Sequence, residues 1–243
     1  MNKYTLSVVV PAYNEEAVIY DNLQSITESI DLFCQNYEVI VVNDGSSDQT
    51  FSEVMRARTK NPRIKLVNYR VNRGKGGAIK EGVSHATGKY IAFLDADLDL
   101  AADHLEDFFH AIIDNNADIV IGSKLHKDSV LNYPFSRRIM SYGYYCLLRL
   151  LFHLNIKDTQ TGIKLFKAEV IQPIVKQLTT SGYAFDIEIL ARANQLGFGI
   201  IEMPVHLNYT RGMENGMTRI RIKDVFTMFF DTLKIFWKLR IDK

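Results

Sequence analysis

Asp95, Asp97 and Asp99 alternate with Ala96 and Leu98 directly after an apolar run from Tyr90 to Leu94. If that run is a strand and the extended backbone continues, the three carboxylates share one face. Like charges so spaced repel one another unless a cation joins them. Oxygen-only donors suit Mg2+ or Mn2+, ions that also bridge a diphosphate. A solvated turn, with Asp99 near the cap of the next helix, is the competing reading of so short a pattern. The preceding strand and the other motifs favour the metal. Asn43 to Asp48 reads NDGSSD after another apolar run. There Asp44 can accept hydrogen bonds from a ribose or a base, while Ser47 or Asp48 caps a helix. Asn72 to Gly82, NRGKGGAIKEG, sets glycines and Lys75 at a helix start, which brings backbone donors and a cation to an anion. The segment fits neither the phosphate-loop pattern nor the dinucleotide fingerprint after a first strand, so neither ATPase nor dehydrogenase is favoured. Asp186, in AFDIE, is the best candidate for a general base or an acceptor-positioning group, with Glu188 second. A helix N-terminal carboxylate is an equally good reading of Asp186.

The elements that must position these residues are legible as alternation. Leu6 to Val10, Val39 to Val42 and Tyr90 to Leu94 are short apolar runs that end in polar or turn-forming segments, as buried parallel strands do. Helical stretches run from Glu15 to Phe33, Asp48 to Thr59 and Gly76 to Ala86, with a further strand at Ile64 to Val67. Asp103 to Asp114 and Ile119 to Gly122 add a helix and a strand. The pattern predicts an α/β fold: a Rossmann-like, mostly parallel sheet with helices on both faces. Ligands of such sheets bind beyond the carboxyl ends of the strands, the edge where PAYNEE, NDGSSD and DADLDL all fall. Further on come a strand at Ile163 to Phe166, helices at Glu169 to Leu178 and Asp186 to Leu196, a strand at Ile200 to Met203 and a last helix from Ile222 to Leu239. No linker or repeat interrupts residues 1–243. They read as one domain, with a ligand-binding part at 1–122 and a second part at 123–243.

Composition narrows the partners. With 243 residues, 47% of them hydrophobic and 23% charged, the chain can bury a large core. A net charge of +1 argues against broad capture of nucleic acid, so no nucleic-acid partner is expected. Cys34 and Cys146 match no metal-ligand spacing and read as buried free thiols in a reducing compartment. The six histidines form no ligand pattern. The apolar run before Pro11 is too short for a signal peptide, which points to the cytoplasm. No stretch reaches the roughly 18 apolar residues of a membrane span, because Arg149 and His153 interrupt the best run. In the last helix, Thr227, Asp231, Lys234 and Lys238 form a narrow polar face and most of the rest is apolar. With the apolar and basic segment Arg137 to Phe152, this favours peripheral membrane contact, with a homo-oligomer contact as the alternative.

Taken together, VVVPAYNEE (8–16), VVNDGSSD (41–48), NRGKGGA (72–78) and FLDADLDL (93–100) resemble, in order, the motifs of the family 2 glycosyltransferases, whose nucleotide-binding fold is called GT-A. DTQTGIKLF (158–166) and GYAFDIEIL (182–190) look like the branch that makes dolichyl- or polyprenyl-phosphate sugars. The resemblance implies that Pro11, Tyr13, Glu15 and Asp44 line a nucleotide pocket. By the same likeness, Asp95 approaches the ribose or the metal, Asp97 ligates the metal and Asp99 is a third ligand. Lys124, Arg137 and Ser141 fall where related enzymes gather the acceptor phosphate. Arg211 resembles the loop arginine that closes on the donor diphosphate, although Gly216, Met217 and Thr218 stand where the family often has Gly-Ser-Lys. The implied activity is inverting transfer of a hexose from a nucleotide sugar to a polyprenyl phosphate, with Mg2+ or Mn2+. UDP-glucose is the favoured donor and GDP-mannose the neighbouring branch's. The implied location is the inner face of a membrane. A soluble or glycan hydroxyl acceptor, and a noncatalytic nucleotide-sugar-binding subunit, are the alternatives.

Overall fold

The computed structural model describes residues 4–131, 135–182, 184–207 and 222–241, with side chains except those of 131–142 and 222–226. Strand β1 (Tyr4–Ala12) is followed by α1 (Ile19–Asp31), β2 (Tyr37–Asp44), α2 (Thr50–Lys60), β3 (Ile64–Tyr69), α3 (Gly74–His85) and β4 (Gly88–Phe93). Then come α4 (His104–Asp114), β5 (Ile119–Ser123), β6 (Val130–Leu131), α5 (Phe135–Phe152), β7 (Lys164–Lys167), α6 (Ala168–Lys176) and α7 (Phe185–Gln195). The described chain ends with β8 (Ile200–Pro204), β9 (His206–Leu207) and α8 (Ile222–Ile241).

Seven strands form one sheet in the order β3-β2-β1-β4-β7-β5-β8. Alternation along the strands divides its core into two layers. Val8, Val10, Val39 and Val41 pack with Ile19 and Leu23 of α1, Val54 of α2 and Phe108 of α4. Val9, Ile40 and Val42 face the other way, onto Ile79 of α3, Ile171 of α6 and Ile187 of α7. Leu148 of α5 and Ile235 and Leu239 of α8 extend that second layer. Each fully buried Val, Ile or Leu contributes roughly 1.5–3 kcal/mol relative to exposure. A slip of one residue would exchange the two faces of a strand. β1 to β4 are mutually parallel and β5 pairs with β8 in parallel.

β7 runs antiparallel between β4 and β5. An antiparallel strand starts at the edge where its parallel neighbours end. The segment before β7, DTQTG, is thereby delivered to the same edge as the acidic segment after β4. A two-stranded ribbon of β6 and β9, too short to carry a hydrophobic period, was not foreseen from sequence.

Two local expectations are corrected. Helix α1 starts at Ile19 rather than Glu15, because Val18, at φ −138°, leaves the helical region; ahead of it the N–H groups of Glu15 and Glu16 donate to Thr50 Oγ1 (2.8 Å) and Asp48 Oδ2 (3.1 Å). Cys34 is buried but Cys146 is exposed. Among the described side chains of α5 Leu148 is buried, and Cys146, two residues away, points away from the layer that Leu148 joins.

Candidate active site

All the chemistry-bearing loops meet at the carboxyl edge of β1, β2 and β4. The loops after β1 and β2 are laced together: Asn14 Oδ1 accepts from Ser47 N (2.9 Å), and Glu16 Oε2 accepts from Gln49 N (2.7 Å). Asp48 Oδ1 accepts from Thr50 N (2.9 Å) at the start of α2, so Asp48 and not Ser47 takes the capping role. Pro11 sits in β1 beyond its last pairing with β4, where the missing N–H costs no ladder bond. Tyr13 is exposed on the loop that follows.

Asp44, the last residue of β2, is buried and does not stand free as expected from sequence. Its Oδ1 accepts from Arg73 N (2.7 Å), and its carbonyl accepts from Asn72 Nδ2 (3.0 Å), which ties it to the loop that leads into α3 and Lys75. Gly45, at φ +70°, makes this closeness feasible, since a Cβ there would lie 2.7 Å from Asn72 N. Burial and the Asp44 carboxylate push the Tyr69 phenol well above its usual range.

The acidic segment is not extended. β4 stops at Phe93, Leu98 N donates to Asp95 O (3.3 Å) and Leu98 adopts φ 52°, so the backbone turns and the shared face of Asp95, Asp97 and Asp99 does not form. Asp97 Oδ1 accepts instead from Asp99 N (3.3 Å). Among the described residues, no group of three or more acidic, histidine or cysteine side chains is gathered for a metal. The negative charge is answered from within the protein: Lys75 Nζ lies 2.5 Å from Asp95 Oδ1, both side chains being half-buried. Burial alone would raise the Asp95 pKa, but Lys75, then Lys164 and Lys124, outweigh it and hold the carboxyl low.

Behind Asp95 lies the DTQTG segment. A Cβ at Gly162 would fall 2.6 Å from Asp95 Cγ, so only glycine lets the loop close on that carboxylate. Lys164, at the start of β7, is buried and pairs with Asp186 Oδ1 at 2.7 Å, while also donating to Thr161 O. Burial raises the Asp186 pKa, and the opposing charges of Lys164 and Lys75 do not fully offset it. Asp186 is the second residue of α7, so its expected helix-terminal place holds. Glu188 is corrected as a candidate base. It is enclosed by Thr179 N, Thr180 N, both threonine hydroxyls and Arg192, a set that makes it a structural acceptor. Lys124 N donates to Asp158 Oδ2 (2.9 Å), and its Nζ is 3.4 Å from the same oxygen.

The structure thus brings Lys75, Asp95 and Asp186 together by ion pairing and charge, with Asp44 bonded to Arg73 N, two residues before Lys75. Lys164, Asp158 and Gly162 were missed as individual site residues. A lysine inside the apolar run IKLF was the signal for the first of them. Arg137 and Ser141 lie on α5 with side chains outside the described residues, and Arg211 lies outside the described residues altogether.

A sequence profile described as Glycosyl transferase family 2 matches residues 7–175. The chain belongs to glycosyltransferase family 2. Among relatives of this family 2 glycosyltransferase, the dolichyl-phosphate beta-glucosyltransferase of Dictyostelium discoideum is 35% identical over 251 residues, covering 97% of this chain and 77% of that protein. Its GT-A fold is shared with glucosyl-3-phosphoglycerate synthase from Mycobacterium tuberculosis in complex with UDP, at a TM-score of 0.70 and 18% identity over 97% of this chain and 79% of that one. The complex of the same synthase with Mn2+ and UDP-glucose superposes at 0.66 and 20% identity, covering 93% and 75%.

Proposed function

We propose that this family 2 glycosyltransferase transfers a hexose, with inversion, from a nucleotide sugar to dolichyl or polyprenyl phosphate, with UDP-glucose as the favoured donor. The observation that carries the reading is the likeness to the Dictyostelium enzyme, which runs through 97% of the chain and so takes in the acceptor-side half as well as the nucleotide edge.

In this reading Pro11, Tyr13, Glu15 and Asp44 bind the nucleoside, and Lys75 and Arg211 face the diphosphate. Asp95 and Asp97 hold Mg2+ or Mn2+, with Asp99 tied to them through its backbone bond to Asp97. Two carboxylates fit such an ion when a diphosphate is present, because Mg2+ commonly takes one or two carboxylates and completes its shell with phosphate oxygens and water. The metal supplies charge stabilisation to the departing diphosphate. Lys124, Arg137 and Ser141 receive the acceptor phosphate. That phosphate is already anionic at neutral pH, so its oxygen attacks the anomeric carbon without a strong base. Asp186, paired to Lys164, then acts in positioning.

A hydroxyl acceptor is the second reading, favoured by one observation: Asp186, at the start of α7, holds a carboxyl beside the active edge within reach of the charges of Lys164 and Lys75, where a base would stand, and burial pushes its pKa up. Peripheral membrane contact at the cytoplasmic face belongs to the first reading. On α8, Thr232, Ile235 and Leu239 are buried, while Phe230, Leu233, Trp237 and Ile241 lie on the opposite side around a shallow hollow of ≈ 600 Å³, flanked by Lys234 and Lys238. No helix of the described residues is long and apolar enough to cross a membrane.

The test is a matrix of UDP-glucose and GDP-mannose against polyprenyl phosphate and soluble hydroxyl acceptors, with Mn2+, Mg2+ or EDTA. A lipid-linked β-hexosyl phosphate formed only with metal is the expected product. Transfer to the soluble acceptors alone overturns the acceptor, and donor binding without transfer to any acceptor points to a noncatalytic subunit.

A further inference from the structure

Lys75 and the divalent cation of the proposed function compete for one carboxylate. Lys75 Nζ stands 2.5 Å from Asp95 Oδ1, the position of a direct counter-ion. Gly162 lies so close to the Asp95 carboxyl group that a Cβ there would clash with it, which limits the retreat of Asp95 on that side. The mobile partner is Lys75, a point charge on a four-carbon stem. That stem leaves the first turn of α3, whose N-terminal backbone also favours anions. The charges acting on Lys75 are those of Asp95, Asp186 and Asp97, so on leaving Asp95 it gains only if another anion arrives. A nucleoside diphosphate is such an anion, and it also brings the oxygens that an ion on Asp95 and Asp97 needs.

We propose that Lys75 is an exchangeable counter-ion that occupies Asp95 in the unliganded protein and passes to the donor diphosphate as the metal takes its place, so that metal and nucleotide bind cooperatively. The inference rests on the nucleotide-sugar and metal reading above and adds a binding order to it: metal alone is opposed, metal with diphosphate is favoured. Each ligand then raises the affinity for the other by the same factor. It also reconciles two roles for one lysine, structural pairing before binding and phosphate contact after it.

The test is binding, measured without turnover. Mn2+ affinity is titrated by the loss of the free-ion electron paramagnetic resonance signal, with and without UDP, for wild type, Lys75→Met, Lys75→Gln and Lys75→Arg. Wild type should bind Mn2+ weakly alone and more tightly with UDP. Lys75→Met and Lys75→Gln should bind Mn2+ alone roughly five- to tenfold more tightly, within the usual span of coupling between sites, and should lose a similar share of the enhancement by UDP. Lys75→Arg, which keeps the cation, should retain weak binding of metal alone. A lysine that merely pins its loop would lower the melting temperature when replaced and leave Mn2+ affinity unmoved. Unchanged or weaker Mn2+ binding in whichever neutral variant stays folded therefore overturns the exchange while leaving the proposed function standing. If Mn2+ binds none of the proteins, with or without UDP, the metal reading falls and the exchange with it.

Discussion

At the scale of single residues, three lysines of the site are each paired with an aspartate: Lys75 with Asp95, Lys164 with Asp186 and Lys124 with Asp158. Asp97 lies in the turn after β4, so replacing it should disturb chemistry more than folding. Asp97→Asn should lower metal-dependent turnover by about 100-fold or more, as expected if one ligand to a charge-stabilising ion is lost, with little change in melting temperature. Near-normal initial rates with Mn2+ would remove Asp97 from the ligand set. The Lys164–Asp186 pair behaves differently because both side chains are buried. Lys164→Met strands a carboxylate in the interior and should cost ~3–5 kcal/mol in urea denaturation. The double change Lys164→Met with Asp186→Leu should recover most of that stability without recovering activity. Recovery of activity together with stability would show that the pair serves the fold alone.

At the scale of elements, the strands bring charge to both ends of the sheet, and the two ends have different jobs. Opposite the active edge, Glu38 of β2 is fully buried and accepts from Ser7 Oγ (2.6 Å), Thr87 N (2.8 Å), Thr87 Oγ1 (2.9 Å) and Lys65. Burial alone would raise its pKa, but the bonds from Lys65, Ser7 and Thr87 outweigh burial and hold the carboxyl below its ordinary value. A depressed folded pKa means stability that is fully present above the unfolded value and lost as pH falls through the folded one. Glu38→Gln should therefore cost roughly 2–3 kcal/mol at neutral pH and progressively less in acid. Denaturation curves taken between neutral pH and pH 3 check this, and a gap that stays constant across that range would mean Glu38 is not the titrating group.

At the scale of the whole molecule, α8 adds one side to the core and leaves Phe230, Trp237 and Ile241 exposed. α8 is held by Thr232, whose Oγ1 lies 2.7 Å from the Tyr144 hydroxyl, and by the edge-to-face contact of Phe236 with Phe152. Its outward stripe is apolar where a solvated helix would be polar. Phe230→Glu combined with Trp237→Glu should lower binding to vesicles containing anionic phospholipid by on the order of tenfold or more, since apolar burial and headgroup attraction both contribute. Turnover of a short-chain, water-soluble acceptor should be retained. If vesicle binding is unchanged and the double variant instead turns a dimer into a monomer in sedimentation, the stripe is a subunit contact.

Much of this protein was decided by local chemistry and so was readable in one dimension. Apolar runs such as Val8 to Val10 and Val39 to Val42 must be buried, and the turn-forming residues after them place Asp44 and Asp95 at one edge of a parallel sheet whatever the details. Apolar spacing on α1 and α4 likewise settles which face of each helix meets the sheet. What only the tertiary structure decided depends on residues far apart in the chain. Lys164 stands beside Asp186 because β7 is inserted antiparallel between β4 and β5, while the pairing of Asp95 with Lys75 and the bond of Asp44 to Arg73 depend on how the loop before α3 and its first turn close over the ends of β2 and β4. A four-residue strand carries no sign of its direction or its neighbours, because both are set by the pairing energy of the completed sheet rather than by the residues within the strand.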